Sequence, residues 1–307
     1  MFCRARSRLS LGPRTKDLGV RYRATHATKY RYDAAVSQCQ SEVRLTPRAL
    51  PWQALIESRI EVTPAPASIE AHKDYFGNDV TTFTILESHD RFTIVSTSVV
   101  DVQPRPAPPA SDSAWETVRD ELAAHARPET LEAFEYVCDS PFVTAGPELA
   151  AYARPSFLPG RGLLAAVDDL SHRIHAEFKY EPNTTSIDTP LLDTLKSKRG
   201  VCQDFSHVLI GALRSLHLPA RYVSGYLRSG ADYQGAEASH AWVSVYVPGS
   251  GWIDVDPTND VRPGTGHLTL GWGRDYGDVT PVKGIALGGG HQLVDVEVRV
   301  EPLRANS

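Results

Sequence analysis

Residues 198–219, KRGVCQDFSHVLIGALRSLHLP, decide how the rest of the chain is read. Phe205, Val208, Leu209, Ala212, Leu213 and Leu216 follow the i, i+3, i+4, i+7 rhythm of a helix with one buried face. Gly200 precedes this helix and Pro219 closes it, which puts Cys202 at or near the first turn. Unpaired backbone N–H groups and the positive end of the helix dipole favour an anionic sulfur there. A cysteine taken at random is a small buried apolar residue. Cys202, however, precedes the apolar stripe and is flanked by polar Gln203 and Asp204, as a nucleophile would be. Capping of the helix is the role expected of Asp204. His207 lies about 140° round the helix from Cys202, too far to serve as its base, and is expected to be a packed core histidine.

A nucleophilic thiol needs an imidazole to hold its proton, and the imidazole needs a third group to fix its orientation. Downstream, HAWVSVYV (240–247) alternates, with His240, Trp242, Ser244 and Tyr246 on one face and Ala241, Val243, Val245 and Val247 on the other. Pro248, Gly249, Ser250 and Gly251 form a turn, and GWIDVDP returns. In an antiparallel register the far ends of the two strands meet, so an aspartate there can reach His240. Asp254 and Asp256 share one face, and periodicity does not choose between them.

GVCQDFSH, LPARYVSGYL, SHAW and GWIDVDPTN, in this order, resemble the motif series of the bacterial transglutaminase-like superfamily, whose core is similar to the papain-like thiol proteases. The resemblance implies Cys202 as nucleophile, His240 as base and Asp256 as the orienting carboxylate, leaving Asp254 as an exposed charge. YRYDAAVSQCQSEVRLTPR and DYFGNDVTTF further resemble the N-terminal domain that accompanies this core in many bacterial members. No cofactor is implied.

The expected fold class is α+β, an N-terminal antiparallel β domain followed by a papain-like, transglutaminase-like cysteine-enzyme core. Residues 1–20 are basic, lack apolar periodicity and are expected to be a disordered extension. Residues 21–102 carry short period-2 runs broken by Pro, Gly and Asn, as in a β sandwich, with Arg44, Arg48, Tyr30 and Tyr32 assigned to interdomain packing. Proline-rich 103–113 reads as a semi-rigid linker, and connecting helices extend it to 155. The catalytic core is placed at 156–285, where a glycine-rich loop beginning at Arg262 borders the site, and 286–307 form a strand docked on a sheet. His172 and His175, on the polar face of the helix over 163–178, lack a completing ligand set and read as solvated.

A net charge of −5 and the absence of a basic cluster interleaved with aromatics argue against nucleic acid. No apolar run approaches a membrane span, and Cys3, Cys39, Cys138 and Cys202 share no CxxC spacing, so a reducing, cytoplasmic location is expected. Cys138 is expected to be structural. The reaction expected is thiol acyl transfer on a peptide or protein substrate, with cleavage preferred over transamidating cross-linking. A non-catalytic peptide-binding scaffold is the competing class, disfavoured because all three site positions carry the residues the chemistry needs.

Overall fold

The computed structural model describes residues 19–109, 112–124, 127–182, 184–230 and 233–303. Residues 1–18 of the extension expected over 1–20 therefore lie outside the described residues, and Val20 already opens the first strand.

The N-terminal domain is built on one long strand, β1 (Val20–Val43). The strands β2 (Gln53–Thr63), β3 (Ser68–Lys73), β4 (Asp79–Ile85) and β5 (His89–Val102) follow it, all paired antiparallel. The short runs read in the sequence fall in β1, β2, β4 and β5, and β1 continues past its run, breaking register between Arg31 and Val36. Its first half pairs with β5 and its second with β4, giving the order β2-β5-β1-β4-β3 in one continuous sheet. This is the antiparallel β domain expected, but as one hydrogen-bonded sheet in place of the two stacked sheets of a sandwich. Val36, Cys39, Val43, Phe83, Ile85, Phe92 and Ile94 fill its own core.

Helices α1 (Trp115–Ala123), α2 (Pro128–Phe134), α3 (Pro147–Ala153) and α4 (Leu163–Glu177) follow. Next come β6 (Lys179–Tyr180), α5 (Leu191–Ser197), β7 (Arg199–Gly200) and the cysteine helix α6 (Cys202–Arg214). The strands β8 (Ala220–Leu227), β9 (His240–Val247), β10 (Gly251–Val255) and β11 (His267–Gly273) form a second antiparallel sheet, ordered β10-β9-β8-β11. Every residue of β8 and β9 is buried, because both sheet faces are covered. The apolar stripe of α6 packs on β9 and β8 from one side. Tyr226, Leu268 and Leu270 meet Tyr22, Val100, Val102, Val298 and Val300 of the N-terminal sheet on the other.

The run over 262–290, expected to be a glycine-rich loop, holds two strands, β11 and β12 (Val282–Gly288). Strand β12 and the terminal β13 (Gln292–Pro302) both pair with β1, so the chain returns to the N-terminal sheet after the core. The last strand docks on a sheet as expected, but the return begins before residue 286. The two units share polar bonds as well. Gln53 donates Nε2–H to the Thr269 carbonyl at 2.7 Å and accepts the Thr269 N–H at 2.8 Å, and Asn78 makes the same paired contact with Trp272. Arg48 lies 3.7 Å over the Trp272 ring, an interdomain contact, whereas the side chains of Arg44, Tyr30 and Tyr32 pair and stack within the N-terminal sheet. The proline-rich stretch is anchored: Arg105 pairs with Asp254 of β10, and Asp112 accepts the N–H groups of Leu164 and Ala165 at the start of α4.

Candidate active site

Helix α6 begins at Cys202 itself. Just before it, Val201 donates its N–H to Asp204 Oδ2 at 2.8 Å, and Thr185 adds its hydroxyl to the same oxygen at 2.7 Å, so Asp204 closes the first turn as a cap. A Cβ on Gly200 would come within 2.5 Å of that Asp204 oxygen, which only glycine avoids. Burial pushes the Asp204 carboxyl up, against the hydrogen bonds from Val201 and Thr185. His207 is a core histidine: its Nε2 accepts the Tyr276 N–H at 3.2 Å, Phe142 stacks on it, and burial with Arg214 nearby holds its pKa down at about 3.

The β9–β10 hairpin has the expected register, Gly251 opposite Val247 through Val255 opposite Val243. It carries Asp256, just beyond β10, to His240 at the start of β9, with Nε2 donating to Oδ2 at 2.8 Å. The Asp256 carboxylate is fully occupied. Oδ1 accepts the N–H groups of Thr258 (2.9 Å) and Asn259 (3.2 Å), and Oδ2 also accepts from Asn259 Nδ2 (2.9 Å) and His267 Nε2 (3.2 Å). Burial opposes the charge on Asp256, but His240 and His267 outweigh it and hold the carboxyl below its ordinary value.

Burial likewise opposes the His240 imidazolium, and the Asp256 carboxylate, followed by Cys202, reverses this and raises His240 to about 10. The bond to Asp256 uses Nε2, which leaves Nδ1 for the thiol, and Cys202 is among the groups that act on His240. Cys202 is 8% exposed while His240 and Asp256 are at 1% and 0%, so Cys202 is the residue of this group most open to solvent. Gly235, at φ +84°, runs across the imidazole; a Cβ there would lie 3.1 Å from His240 Nδ1 and 3.2 Å from the Tyr180 hydroxyl. Tyr180, from β6, packs edge-on against Phe205, and burial, then Cys202 and Asp256, keep its hydroxyl protonated well above the usual range.

The structure thus brings Cys202, His240 and Asp256 together, and it corrects the reading of Asp254. That residue is no exposed charge: its side chain is 9% exposed and accepts from Trp242 Nε1 at 2.9 Å, from the Ser244 hydroxyl and from Arg105. Burial raises its pKa and these partners, Arg105 first, bring it below the usual carboxylate range. We predict that Asp254→Ala destabilises the fold by about 3–5 kcal/mol, since it strands the buried Arg105 charge. Urea unfolding measures it, and a loss under about 1 kcal/mol would contradict the anchoring role.

Other residues near the site were not assigned from sequence. His267 sits inside the run read as loop, although the alternation His267-Leu268-Thr269-Leu270 carries a strand signal. Asn259, at the end of GWIDVDPTN, carries no periodic or spacing signal that marks it as a partner of Asp256. His172 and His175 are exposed as expected, yet tie α4 to the turn behind Asp256: His172 pairs with Asp260 at 2.7 Å and His175 donates to the Thr258 carbonyl at 2.9 Å. Cys138, expected to be structural, is exposed. Among the described residues no group of three or more His, Cys, Asp or Glu is arranged to hold a metal, and no helix is long and apolar enough to cross a membrane.

Comparison with known proteins places these features in a family. Residues 22–101 match the bacterial transglutaminase-like N-terminal region, and residues 152–257 match the transglutaminase-like superfamily. An uncharacterized protein of Mycobacterium tuberculosis is 37% identical over 302 residues, covering 94% of each chain. A protein-glutamine gamma-glutamyltransferase of Pseudomonas aeruginosa is 34% identical over 100 residues, 29% of this chain and 14% of that one. In structure, a Cytophaga hutchinsonii protein provisionally called a cysteine protease superposes with a TM-score of 0.75 at 21% identity, over 94% of this chain and 93% of its own, which shows the shared fold.

Proposed function

We propose, since the chain belongs to the transglutaminase-like superfamily, that it is a thiol acyl-transfer enzyme that cleaves amide or peptide bonds of a peptide or protein substrate through a thioester on Cys202. The observation that carries this reading is the 2.8 Å bond from His240 Nε2 to the buried Asp256, made where α6 presents Cys202.

The Cys202 thiolate attacks the substrate carbonyl carbon, and the C–N bond breaks as His240 passes its Nδ1 proton to the departing amine. This leaves a thioester and a neutral imidazole. A second nucleophile then attacks the thioester carbonyl and gives its proton to Nδ1, and the thiolate leaves. Asp256 keeps the ring in the tautomer and orientation that both steps need.

Water and an amine are alternative second nucleophiles, and the acylation half is common to both. Water is present at about 55 M, so transamidation prevails only where the amine is bound and positioned, a gain that effective molarities of roughly 10⁵ M can supply. A peptide library incubated with the protein, with and without a millimolar primary amine, measures the partitioning by mass. Free acid should dominate in both samples. Mostly amide product would convert the reading to a cross-linking transferase with the same residues, and an unchanged library would favour the peptide-binding scaffold.

A further inference from the structure

Two imidazoles converge on one oxygen of Asp256. His240 Nε2 reaches Oδ2 at 2.8 Å and His267 Nε2 reaches it at 3.2 Å, and both side chains are fully buried. A carboxylate oxygen only accepts, so each Nε2 carries a hydrogen. Resting on the reading of Cys202, His240 and Asp256 given above, we propose that His267 is a positioning residue, a neutral Nε2–H imidazole that fixes Asp256 Oδ2 and divides its charge between two rings.

The placement of His267 is tightly set. It opens β11 opposite Leu227 of β8, the Trp242 ring stands edge-on to it at 5.4 Å and 89°, and Tyr233 packs at 5.3 Å and 68°. The Trp242 edge is itself fixed by the bond of its Nε1 to Asp254. Burial disfavours a charge on His267, and this outweighs the pull of Asp256 because the His240 ring and Arg105 oppose a second cation. The titratable groups facing the pair are Asp256 from the turn after β10, Tyr233, Arg105, and, beyond His240, Cys202 and Tyr180.

Two consequences follow for chemistry. With Oδ2 pinned by His267 and Asn259, the carboxylate cannot swing away from His240, so Nδ1 stays aimed at the sulfur through both proton transfers. With part of the carboxylate charge committed to His267, His240 is held less strongly as the imidazolium and can give up its proton to the leaving amine. Removing the donor should therefore raise the pH at which His240 titrates and slow acylation at the same time. A residue serving only to fill space would do neither.

The test uses the full chain as wild type, His267→Gln and His267→Phe, each checked for folding by circular dichroism. Ring-nitrogen NMR of ¹⁵N-histidine-labelled protein needs no substrate. It should show His267 protonated at Nε2 alone from about pH 6 to 8, and the His240 titration displaced to higher pH in His267→Phe. Peptide turnover in that variant should fall about 10- to 100-fold in kcat with KM unchanged, the scale of one hydrogen bond to a charged group. Gln, which restores an N–H at the same reach, should recover both readouts. An Nδ1–H tautomer, or a folded phenylalanine variant with unchanged His240 titration and kcat, overturns the proposal. If that variant does not fold, the wild-type tautomer decides. If no form turns peptide over, the acyl-transfer reading fails, and the ring-nitrogen data alone still uphold or overturn the shared carboxylate.

Discussion

Cys202→Ala should abolish turnover, lowering kcat by on the order of 10⁶-fold while leaving the protein folded. The size of the effect follows from the role: without sulfur there is no thioester, and the second half of the reaction has nothing to act on. Little stability is at stake. Cys202 is 8% exposed at the edge of the core cluster around α6, and alanine deletes one atom at a position that suits helix. Turnover of the best-cleaved library peptide, with thermal unfolding as control, measures both. Retention of more than about 1% of the wild-type kcat would mean that another group does the chemistry.

Asp256→Asn should also leave the fold intact but reduce kcat by about 10²- to 10⁴-fold, less than the serine-triad precedent because a thiolate needs less help. An asparagine can still face His240, but it offers an amide N–H where a carboxylate accepted, and it removes the charge that sustains the imidazolium. The sign of the pH effect is fixed by the same balance. In the proposed mechanism His240 acts as the imidazolium, so activity should disappear as pH rises through the His240 pKa, which the folded protein holds at about 10. With the Asp256 charge gone, burial is left to dominate and the falling limb of kcat/KM should move toward acid. The linked stability runs the same way: the raised His240 stabilises the fold fully below its unfolded value of about 6.5 and loses this as pH climbs through its folded one. Asp256, held low, contributes above about 3.9 and loses it as pH falls. A silent Asp256→Asn beside a crippling Asp254→Asn would reverse the assignment of the two aspartates.

Local signals made the center of the molecule readable. The apolar stripe marks α6, the period-2 alternation and the glycine turn mark the β9–β10 hairpin, and the antiparallel register brings an aspartate to His240, which the family resemblance identifies as Asp256. What stayed hidden depends on partners distant in sequence. Alternation put Asp254 on a strand face but could not say that Arg105, 149 residues earlier and in a proline-rich stretch, would cover it. His267 was hidden because glycines on both sides suppress strand preference, and β11 forms only through pairing with β8 and the amides of Gln53 and Asn78. The length of β1 is not legible from alternation for a related reason, since polar residues interrupt the run and four neighbours, β4, β5, β12 and β13, hold it together.

Selective alkylation tests the central claim, a thiol at Cys202 activated by the His240–Asp256 pair, without knowledge of the substrate. The folded protein is treated with limiting iodoacetamide at pH 6 and the labelled cysteines are located by peptide mass. Exposure favours Cys138, and activation favours Cys202, which is 8% exposed. Labelling of Cys202 at least about 10-fold faster than Cys138, with that advantage lost in Asp256→Asn, is the predicted result. Labelling of Cys138 first, with Cys202 no faster in the wild type than in Asp256→Asn, would contradict it.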